Sequence, residues 1–517
     1  MFKLTDTELQ SAFEAISHHG YSALFPPPPE WTTVTDNWPE IRQYLAGIDL
    51  DVYVPYKPLR VFVPKSRANL RVAHLLHPED LILYTALVII VKDDLESARI
   101  SRRARRVFSY RTQPGVSNRL YTTRGAYTKY LAELQRKSRK PTVRFVSIAD
   151  IADFYPRVNQ HRLENVITSA SSSPRGNDVA RVLVKKMINH LMESNSYGIP
   201  VGPHASRVLG EAVLIDVDAH LESQGVDYVR WVDDYHIFSR TEYMAQSAVF
   251  QLAEWIFVNH GLTLQSAKTK IWPVAKYVDW VLSKPEDRLT DRDTLLALFR
   301  DSGYVEEEAD GEELQRMVDQ IHGFDLQQLF LESISDQEIV DYRVVRYVLT
   351  RLPNIPGVDE ALRMGLLNIV IDHAELFYPV VEHIAEYVIS FQNLSTEEKR
   401  RIGGKLARPL KRRQNPPPAH YAMWILYVFS TSPGWINARE IVSLYTQSAS
   451  EVIRRYAALA ISVCGTRAEA LAIRRDLPAA SSLLRLAILA ASTKLGQDER
   501  KHWKRANPTR GVVEKCV

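Results

Sequence analysis

Cysteine is almost absent from this sequence: two in 517 residues, Cys464 and Cys516. Two cysteines make neither a disulfide framework nor a zinc-ligand spacing, so a reducing cytoplasm is the expected compartment. Long apolar runs are also missing. The longest, around Leu81 to Val91, is too short and too interrupted to span a bilayer. Met1-Phe2-Lys3-Leu4-Thr5-Asp6 lacks the basic flank and apolar stretch of a signal peptide, so a soluble protein with no membrane partner is expected. Excess charge is small, with 65 Lys and Arg against 61 Asp and Glu, so the chain as a whole is no obvious polyanion binder. Hydrophobic residues make up 45% and charged residues 24%. Those are ordinary values for a globular chain long enough for several domains.

The most informative stretch is Arg230-Trp231-Val232-Asp233-Asp234-Tyr235-His236-Ile237-Phe238. Apolar residues alternate on both sides of the Asp pair, which predicts two short strands and a tight hairpin with Asp233-Asp234 at its tip. Adjacent like charges at a turn repel and add nothing to a core. They make sense as ligands of a hard cation such as Mg²⁺, which takes one or two carboxylates together with substrate phosphates. Two such ions serve nucleotidyl transfer, one at the attacking hydroxyl and one at the leaving pyrophosphate. A lone Asp-Asp is more often a solvated turn, so the argument depends on its company.

Upstream, the run Val143 to Ile148 ends at Asp150-Ile151-Ala152-Asp153-Phe154-Tyr155-Pro156. A carboxylate at the end of a buried strand is costly unless paired or metal-bound. Between the acidic sites, Gly198-Ile199-Pro200-Val201-Gly202-Pro203 forms a turn that opens a helical pattern from Ser206 to Leu221. After the hairpin, Gly261 to Ile271 reads as strand, turn and a lysine, Lys268.

In order and spacing these segments resemble motifs A to D of the reverse-transcriptase palm. Asp150 matches motif A, Pro200, Gly202 and Ser206 match motif B, Asp233-Asp234 match motif C, and Lys268 matches motif D. Arg60 to Lys65 with Leu70-Arg71-Val72 looks like the fingers motif that holds the incoming triphosphate. Trp231 stands where most such enzymes have Tyr, and Val201 where they have Gln. Val201-Gly202-Pro203, Ser206-Arg207, Glu211 and Val107-Phe108-Ser109-Tyr110-Arg111 are instead similar to the abortive-infection (Abi) polymerases, reverse-transcriptase-like proteins of bacterial anti-phage defence.

The resemblance implies an α+β fingers-palm reverse-transcriptase fold followed by an all-α, HEAT-like helical-repeat domain. It implies a DNA polymerase that is protein-primed and template-independent, acting on dNTPs in the bacterial cytoplasm. The single-stranded DNA product would be attached to a tyrosine, or failing that a serine, with Tyr21, Tyr44, Tyr53, Tyr56 and Tyr421 as candidate hydroxyls. A homo-oligomer is expected. Mg²⁺, or Mn²⁺ in its place, would be held by Asp150, Asp233 and the Ile151 carbonyl, with Asp234 in support. Lys65 and Arg71 would neutralise the triphosphate, Gly202 would line the nucleotide site, and Lys268 would protonate or pair with pyrophosphate. Tyr155 falls at the aromatic gate against a 2′-hydroxyl; packing in the core is its other reading. His204 and His236 read as hydrogen-bonded structural residues. A templated, retron-like reverse transcriptase and a catalytically silent interaction scaffold are the alternatives.

Composition suggests three domains: residues 1–50, an N-terminal helical extension; 51–285, fingers and palm; and 286–517, helical. The four prolines Pro26 to Pro29 give stiff extended chain, read as a strap rather than a partner ligand. Between Arg99 and Lys140, thirteen or so cations interleave with Phe108, Tyr110, Tyr121, Tyr127 and Tyr130. This is the composition of a single-strand groove, or else of a solvated insertion whose aromatics pack inward. Beyond Leu289 helical periodicity dominates. Helices are predicted at Thr294 to Arg300, Glu312 to Ile321, and repeatedly from Asp336 to Thr493, in an α-solenoid or an irregular bundle. Glu306 to Glu313 reads as an acidic loop.

Overall fold

The structure is a computed structural model that describes residues 1–282 and 342–517, apart from residues 23, 67, 68, 123, 124, 355, 356 and 413. The helices expected at Thr294 to Arg300 and Glu312 to Ile321, and the acidic loop from Glu306 to Glu313, lie outside the described residues. Contacts divide the chain into two units. One joins Met1–Pro58 to Ala73–Ser283 and Cys516; the other joins Leu59–Val72 to Lys284–Lys515 and Val517.

A hairpin of β1 (Leu59–Ser66) and β2 (Asn69–Leu75) comes first among the strands. A four-stranded antiparallel sheet follows in the first unit, in the order β4 (Asp227–Trp231), β5 (Asp234–Ser239), β3 (Phe145–Asp150), β6 (Lys270–Pro273). Alternation decides which side chains face which layer. Val146, Val229 and Phe238 meet Tyr130, Leu134 and Tyr277 in one core cluster, so the helix Ala126–Ser138 covers that face. Ser147 points the other way and donates to the Ala245 carbonyl at 3.3 Å, in the helix Glu242–His260. The segment expected as one helix from Ser206 to Leu221 is two, Ala205–Val213 and Ile215–Ser223.

The N-terminal residues are integral to this unit. Thr5 and Glu8 form a capping box at the start of the helix Asp6–His19, which packs on the helix Pro78–Ala98. That helix holds the apolar run from Leu81 to Val91 at its buried centre. The Tyr21 hydroxyl donates to the Leu76 carbonyl at 2.6 Å, and Phe25, Pro26 and Pro28 are buried. The proline run therefore serves as a strap on its own unit.

In the second unit the hairpin residues pack on helices, with β1 contacting Ala419–Thr431 and Glu451–Cys464. This differs from the expectation of 51–285 as one domain: β1 associates with helices more than three hundred residues away, a contact periodicity does not reveal. Tyr342–Arg351, Val381–Ile389, Ala419–Thr431, Glu451–Cys464 and Ser482–Ala491 pack in succession, and Glu360–Asp372 with Thr396–Ala407 and Ala438–Gln447 with Arg467–Arg474 form neighbouring pairs. Among the described residues no single helix is long and apolar enough to cross a membrane.

Candidate active site

Strand register assembles the acidic site. Asp150, at the end of β3, is paired directly across from Asp234, the first residue of β5. Trp231 and Asp234 close the β4–β5 hairpin, leaving Val232 and Asp233 as its turn. Like charges directly opposite one another destabilise a sheet, so this register favours an ion between them. Burial first, then the charges of Asp150 and Asp234, push the Asp233 carboxyl up to about 6. The Lys268 ammonium lies 3.0 Å from Asp150 Oδ1, and the Asp150 carbonyl accepts the Gln265 N–H at 2.7 Å. Ile151 donates its N–H to the Asp233 carbonyl at 3.1 Å, which ties the hairpin tip to the end of β3.

A carboxylate raised by burial and by its acidic neighbours fits a divalent cation, which would remove the repulsion that lifts Asp233. Among the described residues no cluster of three or more His, Cys, Asp or Glu could by itself hold a metal. Asp150 and Asp233 form a pair instead, a donor set suited to Mg²⁺ that takes its remaining ligands from substrate phosphates and water.

Tyr155 sits on the short helix Phe154–Arg157 that follows β3. Its ring rests on Gly210: a Cβ there would meet Tyr155 Cε1 at 3.1 Å and Cζ at 3.2 Å. The phenol is pushed up by burial first, then by the nearby Tyr110, Glu211 and Asp233 groups, so the ring lies within reach of the Asp233 charge. Its carbonyl accepts the Ile199 N–H at 3.1 Å. Gly202, in the same loop, has φ +131° and lies against β2 and the residues that lead into the strap, where a Cβ would meet the His74 carbonyl and Ser22 Oγ, each at 3.1 Å. Only glycine takes this backbone readily.

Lys65 and Arg71 lie on β1 and β2 and are exposed. Both belong to the second unit, where the Arg71 charge is felt by Glu382 and His420. Asp150, Ile151, Asp233, Asp234, Tyr155, Gly202 and Lys268 all belong to the first.

The basic insertion divides in two. Arg99, Arg111 and Lys137 are buried, and their head groups bind Glu211, Glu96 and Asp227. Arg103, Arg105, Arg119, Lys129, Arg136 and Arg139 are exposed. Tyr121 and Tyr130 are buried, so the aromatics largely pack inward, while Tyr127 is 54% exposed. Tyr127 meets Trp231 edge-on at 5.1 Å. His204 and His236 accept from or donate to the Tyr121 and Tyr277 hydroxyls, each pair at 2.6 Å.

Sequence reasoning assigned no role to several neighbours of the site. Arg207 lies 5.0 Å over the Tyr110 ring and donates to the Tyr121 hydroxyl at 3.0 Å. Arg230 is fully buried beneath the hairpin, bound to Asp218 at 2.6 and 2.8 Å and to Glu211 at 2.8 Å. The signal was present but unread: an arginine at an alternating position of β4 points inward with Tyr228, where it needs a buried anion.

Residues 63–282 match the family model for reverse transcriptase (RNA-dependent DNA polymerase). No curated protein matches the chain. Among solved structures, telomerase from Candida albicans in complex with a TWJ fragment of telomeric RNA is similar at 13% identity, covering 78% of this chain and 71% of that one, with a TM-score of 0.32. Apo telomerase from Candida tropicalis is similar at 11% identity over 78% and 74%, also with a TM-score of 0.32. The matched segment contains the whole acidic site, and the chain carries a reverse-transcriptase domain, a nucleotidyltransferase of the DNA-polymerase type.

Proposed function

We propose that this reverse-transcriptase domain joins deoxynucleotides to a hydroxyl of its own chain, without a template, in bacterial defence against phage. The observation that carries the reaction is the convergence of Asp150 and Asp233, with Asp233 held up to about 6 by burial and by Asp150. Mg²⁺ bound there would polarise the attacking hydroxyl and offset charge on the departing pyrophosphate. The Asp150 and Asp233 carboxylates would hold it, with the Ile151 carbonyl beside them and Asp234 in support. Lys268, now paired with Asp150, would turn to the pyrophosphate as its charge grows. The Tyr155 ring, backed by Gly210, would exclude a 2′-hydroxyl and so favour dNTPs.

Template independence and the role in defence rest on the likeness of Val201-Gly202-Pro203, Ser206-Arg207 and Glu211 to the Abi polymerases. The priming hydroxyl needs an exposed side chain. Tyr21 and Tyr421 are buried, their hydroxyls given to the Leu76 and Leu406 carbonyls, and Tyr53 gives its hydroxyl to Asp80 at 2.8 Å, so these three candidates are withdrawn. Tyr44 is exposed. Tyr56 is half-buried, its ring centre 4.1 Å from that of His77, and stays a candidate with Tyr44; Tyr127, exposed beside the catalytic hairpin where the Asp234 charge reaches it, joins them.

The successive packing of alternate helices in the second unit supports a HEAT-like array. Tyr243, Met244, Phe250, Phe257 and Val258 line an exposed apolar stripe of the helix Glu242–His260, and this supports self-association.

The test is to incubate purified protein with Mg²⁺ and labelled dNTPs, without nucleic acid. Label should migrate with the denatured protein and be released by protease. Label free of protein before proteolysis refutes self-priming, and incorporation only on added template moves the activity to templated synthesis.

A further inference from the structure

The turn that presents Asp233 is strained. Val232 has φ +54°, a left-handed backbone that is a genuine outlier for a β-branched residue. Such conformations persist only where the surroundings over-determine them. Here two hydrogen bonds from outside the turn do so. The Val232 N–H donates to Ser109 Oγ at 2.9 Å, and the Val232 carbonyl accepts from the Arg230 guanidinium at 3.0 Å.

Both anchors are themselves fixed. Residues 106–109 run beside β4: the Arg230 N–H donates to the Arg106 carbonyl at 2.8 Å, and Val107 bridges Arg230 in parallel. This sets Ser109 under the turn. The Ser109 hydroxyl in turn donates to Glu211, which also receives Arg99 at 2.6 Å and Arg230 at 2.8 Å. Asp218 grips the other edge of Arg230 and accepts the Tyr228 hydroxyl at 2.9 Å. Glu96 takes Arg99 at 3.2 Å and Arg111 at 3.3 Å. All six ions are buried. Three buried guanidinium groups balance three buried carboxylates, and the half-exposed Arg102 adds a contact to Glu96 at 3.1 Å from the solvent side.

We infer that Ser109 and Arg230 are positioning residues that hold Val232 in its strained form and thereby set where Asp233 points. Ser109 is the narrow link, because its one hydroxyl both accepts from the turn and donates to Glu211. The inference rests on the reading of Asp233 as a metal-holding carboxylate, and its consequence for turnover follows from that reading. A small displacement of a reacting group away from its productive place slows turnover by on the order of 100-fold.

The test compares wild type, Ser109→Ala and Ser109→Ala/Val232→Gly in the full chain. In Ser109→Ala the amides of the β4–β5 hairpin should exchange with deuterium about tenfold faster or more, with exchange in the helix Pro78–Ala98 unchanged. The kcat for dNTP incorporation should fall on the order of 100-fold, with KM moved less than about twofold. Adding Val232→Gly, which takes a positive φ without strain, should recover much of the lost kcat. Unchanged hairpin exchange in Ser109→Ala overturns the inference, as does a loss carried by KM alone or a double variant no better than the single. Should wild type incorporate no nucleotide, the functional reading fails, and hairpin exchange still decides whether Ser109 holds the turn.

Discussion

Replacing Asp233 with Asn should stabilise the metal-free protein while abolishing its activity. The folded state lifts the Asp233 carboxyl from an ordinary 3.8 to about 6, so it binds its proton more tightly than the unfolded chain does. Stability therefore falls as pH rises from about 4 to about 6, and the penalty is fully present above that. Roughly two pKa units correspond to about 3 kcal/mol, and solvent screening at the hairpin tip reduces this to roughly 1–3 kcal/mol. Asparagine carries no charge and escapes the penalty. In EDTA near neutral pH, Asp233→Asn should melt higher than wild type, by roughly 2–4 °C per kcal/mol, and the gap should close as pH falls below about 4. Mg²⁺ should raise the wild-type melting temperature and leave the variant unmoved, because a ligand stabilises only the state that binds it. Paired thermal melts across pH, with and without Mg²⁺, measure all of this. A variant that melts lower at neutral pH in EDTA, or a gap that does not depend on pH, would refute the electrostatic argument. Near-normal nucleotide incorporation by the variant would refute the metal assignment.

Tyr155→Ala should raise ribonucleotide use relative to deoxynucleotide in a competition assay, and an unchanged preference would assign the ring to packing. Gly210→Ala presses a methyl on that ring at about the contact distances found for its Cβ; it should raise the dNTP KM several-fold, whereas stability should move by less than about 1 kcal/mol because helix propensity offsets overpacking. Truncation after Leu289 should abolish incorporation, since β1, which carries Lys65, packs on the helices Ala419–Thr431 and Glu451–Cys464; full activity of the truncated protein would contradict this. Phe250→Glu with Phe257→Glu should lower the mass seen by light scattering, and an unchanged oligomer would place self-association on another face.

The acidic site was legible because its parts are local. A strand ending in Asp150, an Asp-Asp turn between two alternating strands, a glycine-proline loop and a following lysine each declare themselves within a dozen residues. Their order along the chain is enough to suggest a polymerase palm. Tyrosine candidates for priming were another matter: Tyr21 and Tyr421 look no different in sequence from Tyr44, and only packing removes the first two from solvent. The basic stretch from Arg99 to Lys140 likewise reads as one surface, yet Arg99 and Arg111 turn inward to Glu211 and Glu96.

What the sequence alone supplied was the proposed chemistry, in the Asp150 and Asp233-Asp234 carboxylates, the Tyr155 ring and Lys268, since residue type and short spacing carry that proposal. The tertiary structure decided the precision of the site. Whether Arg230 faces Glu211 and Asp218 depends on strand register, and whether Val232 is strained and whether the strand bearing Lys65 joins the helical unit depend on contacts between residues about a hundred or more apart. Only burial then makes those contacts matter. An ion pair worth little in water becomes, once desolvated, too costly to break, and so it can fix a neighbouring turn.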